Sequence, residues 1–233
     1  MSVAQAIAEI DELRCNKKVK EVIDVFETKY NSEEFQVPDL LWRYAASLYD
    51  IGIGEKDKAE HKRLLTKGLD MSKLGLDKDE NNAGCNKWYG ILLDVTGRIE
   101  GIKQRIENSF IVKKHLEIAN EKSNKSDCLV LHALGVWCYE VSALSWINRK
   151  VAETFFASPP TSTFEEALVF LLDAEKKKPG YLAANYVYLG KTYFQLNQKA
   201  EAKEFFQKTI DFQASDADTV AARLEAAEFL KKL

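Results

Sequence analysis

Large apolar residues recur along most of the chain at the three- and four-residue spacing of an α-helix. Near the C-terminus, Tyr186, Leu189 and Tyr193 follow this spacing, which places their side chains on one face of a helix. Toward the N-terminus, the same spacing predicts one or two amphipathic helices over residues 3–30. No segment shows the apolar–polar alternation of a half-buried strand, so the pattern predicts an all-α protein.

The clearest repeating unit covers residues 181–212. Its first helix contains Gly190 and its second contains Ala202, and small residues at these two places would let the paired helices approach closely. Leu196 and Asn197 mark the turn between them. An aromatic residue, a Leu-Gly pair and a second aromatic residue, followed by Ala and Phe on the next helix, resemble a tetratricopeptide repeat (TPR). This resemblance implies antiparallel helix pairs that stack into a solenoid.

A second copy of the unit lies upstream, but its two helices are separated by an insertion. Gly135 and Ala167 are 32 residues apart, whereas Gly190 and Ala202 are 12 residues apart. The difference predicts an insertion of 20 residues, which we place at 142–161.

The insertion contains three large aromatic side chains, Trp146, Phe155 and Phe156. Because exposed aromatic patches are uncommon, we expect these side chains to pack against the solenoid. A Pro-Pro pair follows and predicts the end of the inserted segment. Ser162 or Thr163 is then expected to cap the next helix.

Weaker copies of the helix pair precede these two. Trp42 and Trp88 each lie in a first helix, and the pattern predicts the second helices over about 58–71 and 99–120. These copies extend the repeats back to residue 37.

The complete pattern predicts one all-α domain, a TPR-like solenoid, over residues 1–233. A final helix is expected to cover the end of the solenoid with Val220, Leu224 and Ala227 facing inward. The parts of the domain are N-terminal helices at 1–36, helix-pair repeats at 37–215 and a capping helix at 216–233.

Charge and composition narrow the classes of function. The chain has 33 Lys and Arg residues against 36 Asp and Glu residues, and its net charge of −3 argues against a nucleic-acid binder. Residues 1–40 are the most acidic part, with nine acidic and five basic side chains. The first residues lack the basic and then apolar pattern of a signal peptide, and no apolar stretch of about 18 residues occurs. We therefore expect a cytoplasmic protein with no membrane span.

No pattern of catalytic or ligand-binding residues stands out in the sequence. The four cysteines are scattered without a Cys-x-x-Cys pair, and the three histidines have no partner at metal-ligand spacing. The chain has no glycine-rich phosphate loop and no Gly-x-Ser-x-Gly motif. We therefore expect a non-enzymatic protein without a cofactor, a metal site or a catalytic residue.

Three divergent segments carry a more specific resemblance, because the NKWYGILLD stretch and the long insertion are not TPR consensus features. They are LLWRYAASLYD (40–50), the stretch 64–119 around NKWYGILLD, and ASPPTSTFEEAL (157–168). Together they resemble the regulator of microtubule dynamics family. The resemblance implies TPR-like helices, microtubule association and a role in the spindle. From it we expect tubulin as a partner, a location on cytoplasmic and spindle microtubules, and a part in chromosome segregation.

A microtubule binder needs clustered Lys and Arg, because tubulin tails are acidic. Residues 98–126 hold seven basic side chains against four Glu, although an ordinary solvated face would look similar. The candidate microtubule-binding residues are Arg98, Lys103, Arg105, Lys113, Lys114 and Lys122.

A TPR stack lines its concave wall with the first helix of each repeat, where a peptide or an apolar ligand can bind. A second protein, such as a mitotic regulator, would occupy this groove; the alternative is plain solvated or packed surface. A different class of function also stays open, a carrier that binds lipid or another apolar ligand inside the solenoid. The candidate groove residues are Arg43, Asn86, Tyr89, His132, Tyr139 and Lys191.

Overall fold

The computed structural model describes residues 1–156, 159–214 and 216–233. Over these residues it contains α-helices, one short 3₁₀ helix (η1) and no strand, which confirms the predicted all-α class. Ala157 and Ser158 of the predicted insertion, and Ser215 before the capping helix, lie outside the described residues. The elements are α1 (Val3–Cys15), α2 (Val19–Thr28), η1 (Glu33–Phe35), α3 (Pro38–Gly52), α4 (Lys58–Lys78), α5 (Ala83–Glu100), α6 (Ile102–Lys122), α7 (Cys128–Ser142), α8 (Trp146–Phe155), α9 (Phe164–Lys177), α10 (Ala183–Gln195), α11 (Lys199–Ile210) and α12 (Ala217–Leu230).

The packing divides the chain into two compact units, Met1–Lys122 (unit 1) and Ser123–Leu233 (unit 2). Each unit is described by itself below. The single continuous domain expected from the repeats stays a prediction.

Unit 1 is built from two helix pairs and a pair of N-terminal helices. Helix α3 pairs with α4 and α5 pairs with α6, while α5 also packs on α3 and α4. The N-terminal helices belong to the same core, because Ile10 of α1 and Phe26 of α2 are buried with Leu48 of α3. Phe26 stacks on Tyr44 with ring centroids 4.5 Å apart. Each such large buried side chain contributes about 1.5–3 kcal/mol to stability.

Unit 2 contains the interrupted repeat and the clear one. Helix α7 pairs with α9, α10 pairs with α11, and α12 packs against both α10 and α11. Helix α8 lies between α7 and α9 in the chain, which confirms the predicted insertion. The next helix begins where the sequence indicates: the Thr163 side chain accepts a hydrogen bond from the Glu166 amide, and the Glu166 carboxylate accepts one from the Thr163 amide.

The two glycines that align the repeats lie at close helix contacts. A Cβ atom on Gly135 would lie 2.6 Å from Cγ of Leu171, and one on Gly190 would lie 2.6 Å from two atoms of the Phe206 ring. Both distances are shorter than any ordinary carbon–carbon contact. The expectation that a small residue at Gly190 permits close pairing is therefore confirmed, and Gly135 does the same in the interrupted repeat.

The predicted inward face of the last helix was wrong for Val220 and Leu224, whereas Ala227 is half-buried. Val220 and Leu224 of α12 are exposed, with 44% and 67% of their surface accessible, whereas Thr219, Ala222 and Ala226 are buried. Helices α10 and α11 already supply large side chains to this contact, so α12 fits them with its small residues. The sequence prediction had placed the larger apolar side chains, Val220 and Leu224, on the buried face.

The prediction that the aromatic residues of the insertion pack was wrong for Trp146. Its side chain is 71% exposed at the start of α8, and Ile147 beside it is 66% exposed. The helix buries Ala152 instead, a small residue that allows close approach. Phe155 and Phe156 are half-buried and meet edge to face, with ring centroids 6.5 Å apart.

Within the described part of the chain, no single helix has the length and apolar character needed to cross a membrane. Helices α7 and α8 reach that length and composition only when taken together, across a bend of 105°.

Candidate binding surfaces of the two units

The two arginines of the predicted basic patch pair with one carboxylate of α5, and Arg105 thereby links α6 to α5. Nε of Arg98 lies 3.0 Å from a carboxylate oxygen of Asp94, and Nε of Arg105 lies 2.9 Å from the other oxygen. One carboxylate thus holds two guanidinium groups, one from its own helix and one from the next. Asp94 offsets part of the charge of these two groups, so they offer an outside partner less attraction than uncompensated cations would.

The lysines of the patch remain nearer to solvent. Lys103, Lys114 and Lys122 are exposed, whereas Lys113 is half-buried with Nζ 3.8 Å from a carboxylate oxygen of Glu117. Among the described residues, Lys114 and Lys122 form no ion pair. The six candidates therefore reduce to three exposed lysines, all on α6.

The charge of Lys114 affects the pKa of the neighbouring residue, His115. Burial lowers the pKa of His115, and the charges of Lys114 and of Lys73 from α4 lower that pKa further. Lys73 itself is paired with Asp77. The protein therefore holds His115 neutral at physiological pH.

Two large apolar side chains lie among the exposed lysines. Phe110 and Ile111 are 42% and 44% exposed, although they stand on a helix that buries Val112 and Leu116 on its other side. All five exposed side chains fall within about one third of the helix circumference, by the 100° turn per residue. We call this set the α6 surface: Lys103, Phe110, Ile111, Lys114 and Lys122.

The basic side chains of α4 are a weaker candidate. Lys62 pairs with Glu100 at 2.6 Å, Arg63 pairs with Glu60 at 2.6 Å, and Lys67 pairs with Glu27 at 2.5 Å. Exposed pairs of this kind contribute about 0–1 kcal/mol each, but they compensate the charges that a partner would otherwise meet.

In unit 1, two of the three groove candidates use their polar groups inside the fold. Arg43 makes a bidentate contact with Asp11 of α1, at 2.7 and 2.9 Å. Asn86 is fully buried; its amide donates to a backbone carbonyl at 2.8 Å, and its oxygen lies 2.7 Å from Nδ1 of His115. Tyr89 stays half-buried and meets the His115 ring edge-on, 4.7 Å between centroids. Only Tyr89 keeps surface for a ligand without losing such a contact.

In unit 2, Lys191 and Tyr139 form part of an aromatic cluster. The ammonium group of Lys191 lies 4.9 Å from the Tyr139 ring centroid and 4.2 Å from that of Tyr188. It also pairs with Glu225 of α12 at 2.7 Å, and only 8% of Lys191 is exposed. Burial raises the pKa of Tyr139 to about 12, so this tyrosine faces the lysine as a neutral ring. Sequence reasoning missed Tyr188, although it lies one helical turn before Lys191.

The last groove candidate, His132, is held in a defined orientation. Its Nδ1 lies 3.0 Å from the amide oxygen of Asn185, whose nitrogen donates to the carbonyl of Leu171 at 3.0 Å. Since the Asn185 nitrogen is used as a donor, the oxygen accepts and Nδ1 of His132 carries the proton. Burial lowers the pKa of His132 to about 4, and the hydrogen bond to Asn185 offsets this only in part.

A metal site is absent from residues 1–156, 159–214 and 216–233. No group of three or more His, Cys, Asp or Glu side chains in these ranges is placed to hold a metal ion.

Comparison with solved structures bears on the fold. The chain is similar to a TPR protein of Thermus thermophilus, with a TM-score of 0.62 and 13% identity, covering 97% of this chain and 100% of that one. It is also similar to YrrB, described as a TPR protein with an unusual peptide-binding site, with a TM-score of 0.50 and 17% identity over 98% and 91% of the two chains. At these identities the likeness shows the TPR fold alone.

Comparison of sequences shows the family. The profile described as Regulator of microtubule dynamics protein 1-3 matches residues 6–233. The chain is 33% identical to Regulator of microtubule dynamics protein 1 of Mus musculus, covering 98% of this chain and 79% of the relative, and 34% identical to that of Pongo abelii, covering 98% and 74%. Protein 3 of Xenopus laevis is 37% identical over 74% of this chain and 37% of its own length. The chain therefore belongs to the family of regulator of microtubule dynamics proteins 1–3.

Proposed function

We propose that this chain is a non-enzymatic adaptor that binds microtubules through the α6 surface and regulates their dynamics. The names of its relatives support the microtubule part of this proposal. The observation that carries the choice of surface is the exposure of Lys114 and Lys122, which are not compensated by ion pairs within the described chain. Acidic tubulin tails are the partner that such lysines would attract.

The mechanism is weak, salt-sensitive docking. Each exposed Lys–carboxylate contact contributes at most about 1 kcal/mol, so several lysines have to act together. Phe110 and Ile111 add apolar area that does not depend on salt. Glu117 and Glu121 on the same helix oppose an acidic tail, which would keep the affinity moderate and the complex reversible.

The proposed location and cellular role follow from microtubule binding. An adaptor of this kind would act in the cytoplasm, on spindle microtubules, and would contribute to chromosome segregation. Tyr89 in unit 1 and Tyr188 in unit 2, which are both half-buried, are the side chains on which a second protein would be held.

The proposal is tested by co-sedimentation with stabilised microtubules. In Lys114→Glu/Lys122→Glu, we expect the dissociation constant to rise at least about tenfold, because two attractive charges become repulsive. The matched control is Lys199→Glu/Lys203→Glu, which makes the same change of charge at exposed lysines of α11 that form no ion pair in the described chain.

Salt and tubulin tails provide the second arm of the test. We expect binding of the unmodified chain to weaken as ionic strength rises, and to be lost on microtubules whose tails have been removed. Equal binding by the Lys114→Glu/Lys122→Glu variant and its control would show that the α6 surface is not the contact. A lipid retained by the chain in native mass spectrometry, together with no microtubule binding, would favour the carrier.

A further inference from the structure

Unit 1 contains a cleft of about 290 Å³ between α2, η1, α3 and α4. Its walls are mostly large apolar side chains: Phe26, Tyr30, Phe35, Leu41, Met71 and Leu74. This volume is just below the roughly 300–1,000 Å³ of pockets that hold drug-sized ligands. It suits one or two large side chains rather than a long ligand.

The floor of the cleft is fixed by contacts among aromatic rings. Phe26 stacks on Tyr44 at 4.5 Å, and Tyr30 contacts Phe26 at 6.0 Å and Phe35 at 4.8 Å between centroids. The Tyr30 hydroxyl is itself anchored, since it donates to a carboxylate oxygen of Glu9 at 2.5 Å. The cleft is therefore preformed, and a side chain that enters it need not order its walls.

At the mouth of the cleft, the Glu27 carboxylate uses one of its two oxygens for hydrogen bonds within the described chain. The Tyr44 hydroxyl donates to Oε1 of Glu27 at 3.0 Å, and Nζ of Lys67 donates to the same oxygen at 2.5 Å. Within the described chain, no donor is bonded to Oε2 of Glu27. The Lys67 hydrogen bond lowers the pKa of Glu27, so the carboxylate is ionised at neutral pH.

The surroundings of the cleft are acidic. Glu33 and Glu34 are exposed on η1, next to the lining residue Phe35, and Asp70 is exposed on α4 between the lining residues Lys67 and Met71. With Glu27 there are four carboxylates near Lys67, and the two other nearby cations, Lys29 and Arg63, are paired with Glu9 and Glu60. This is the region in which the sequence holds nine acidic and five basic residues over 1–40. Such a rim attracts a cationic partner and repels an acidic one.

We propose that this cleft binds a large apolar side chain of a basic peptide segment, with Lys or Arg next to that side chain placed against Glu27, Glu33 and Glu34. Apolar walls select the anchor side chain, and the rim selects the charge beside it. The partner is therefore opposite in charge to an acidic tubulin tail and uses a different surface from α6. The chain would hold two partners of opposite charge, and loss of microtubule binding would leave this site intact.

Two short peptides test the proposal on the full chain. Acetyl-Lys-Leu-Trp-Lys-amide and acetyl-Glu-Leu-Trp-Glu-amide carry the same apolar core with opposite charges. In ¹H–¹⁵N correlation spectra, we expect the basic peptide to shift the amides of Phe35, Met71 and Leu74, and to bind at least about tenfold more tightly than the acidic one.

Two variants separate the apolar from the charged contribution. Leu74→Trp fills the cleft and should abolish the shifts caused by the basic peptide. Glu33→Lys/Glu34→Lys changes only exposed residues, and we expect it to remove the tenfold preference. The matched control, Glu121→Lys/Glu201→Lys, makes the same change of charge at exposed positions that do not line the cleft, and it should keep the preference.

Several outcomes would overturn the proposal. These are equal binding of the two peptides, no binding of either, or shifts that lie outside the cleft. Shifts caused by octyl glucoside at the same amides, with none caused by the basic peptide, would assign the cleft to a lipid-like ligand instead.

Discussion

Replacing Gly190 with valine is expected to lower the free energy of unfolding by about 3 kcal/mol. A Cβ atom at this position would lie 2.6 Å from both Cδ1 and Cε1 of Phe206, a side chain with no exposed surface. The ring cannot swing away easily, because it also stacks on Phe229 of α12 at 5.1 Å. Helix propensity does not compensate, since valine and glycine differ by only about 0.4 kcal/mol in a helix interior.

Urea unfolding followed by far-UV circular dichroism measures this effect. Lys203→Val is the matched control, because it places the same side chain on an exposed position of the partner helix α11. We expect the control to stay within about 0.5 kcal/mol of the unmodified chain. If Gly190→Val also stayed within that range, the close approach of α10 and α11 would be refuted.

Acid is expected to destabilise unit 2 through His132. The pKa of this histidine is lowered from 6.5 to about 4 by burial, so the unfolded chain takes up a proton that the folded chain rejects. Unfolded protein therefore binds more protons below about pH 6.5, and stability falls as the pH decreases toward 4. Between pH 7 and pH 5 we expect this histidine alone to account for a loss of about 2 kcal/mol.

The variant His132→Asn isolates this contribution. An asparagine amide can replace Nδ1–H as the donor to Asn185, but it does not titrate. The free energy of unfolding of both proteins is measured at several pH values, so that carboxylates and His115 cancel in the difference. A difference that does not change between pH 7 and pH 5 would mean that protonation of His132 is not opposed by the fold.

The helix pairs could be predicted because helical packing leaves a periodic trace in the sequence. Gly135 and Gly190 had to be small where a neighbouring helix approaches, and Thr163 and Glu166 announce the start of α9. These signals are local, so one sequence is enough to detect them. The ends of the helices are predicted less accurately: the sequence pattern ends the helix at about residue 71, whereas α4 continues to Lys78.

The candidate surfaces could be predicted only in part, because charge pairing is not local. Lys and Arg cluster over 98–126 in the sequence, yet Asp94 of α5 pairs with both Arg98 and Arg105 and offsets part of their charge. Asn86 falls at a position where TPR first helices line the groove, but here a neighbouring histidine and backbone carbonyls consume its amide. Only the packed structure shows which polar groups already have partners.

The acidic cleft of unit 1 had no signature in the sequence for a related reason. Its lining residues come from four elements that are up to 48 positions apart, from Phe26 to Leu74. Charge asymmetry over residues 1–40 was visible, but nothing connected it with an apolar pocket. The packing of the helices brings Glu27, Phe35 and Met71 together, so that part of the acidic excess of residues 1–40 lies beside an apolar cleft.

The way α9 begins makes the preceding segment tolerant of changes in length. Helix α9 starts through its own Thr163–Glu166 capping box, and it packs on α7 rather than depending on α8 for its position. Each doubling of a connecting loop costs only about 0.6 kcal/mol in closure entropy. The stretch between α7 and α9 is thus a natural place to graft a fluorescent domain or an affinity tag, since the helix pair on either side would keep its register.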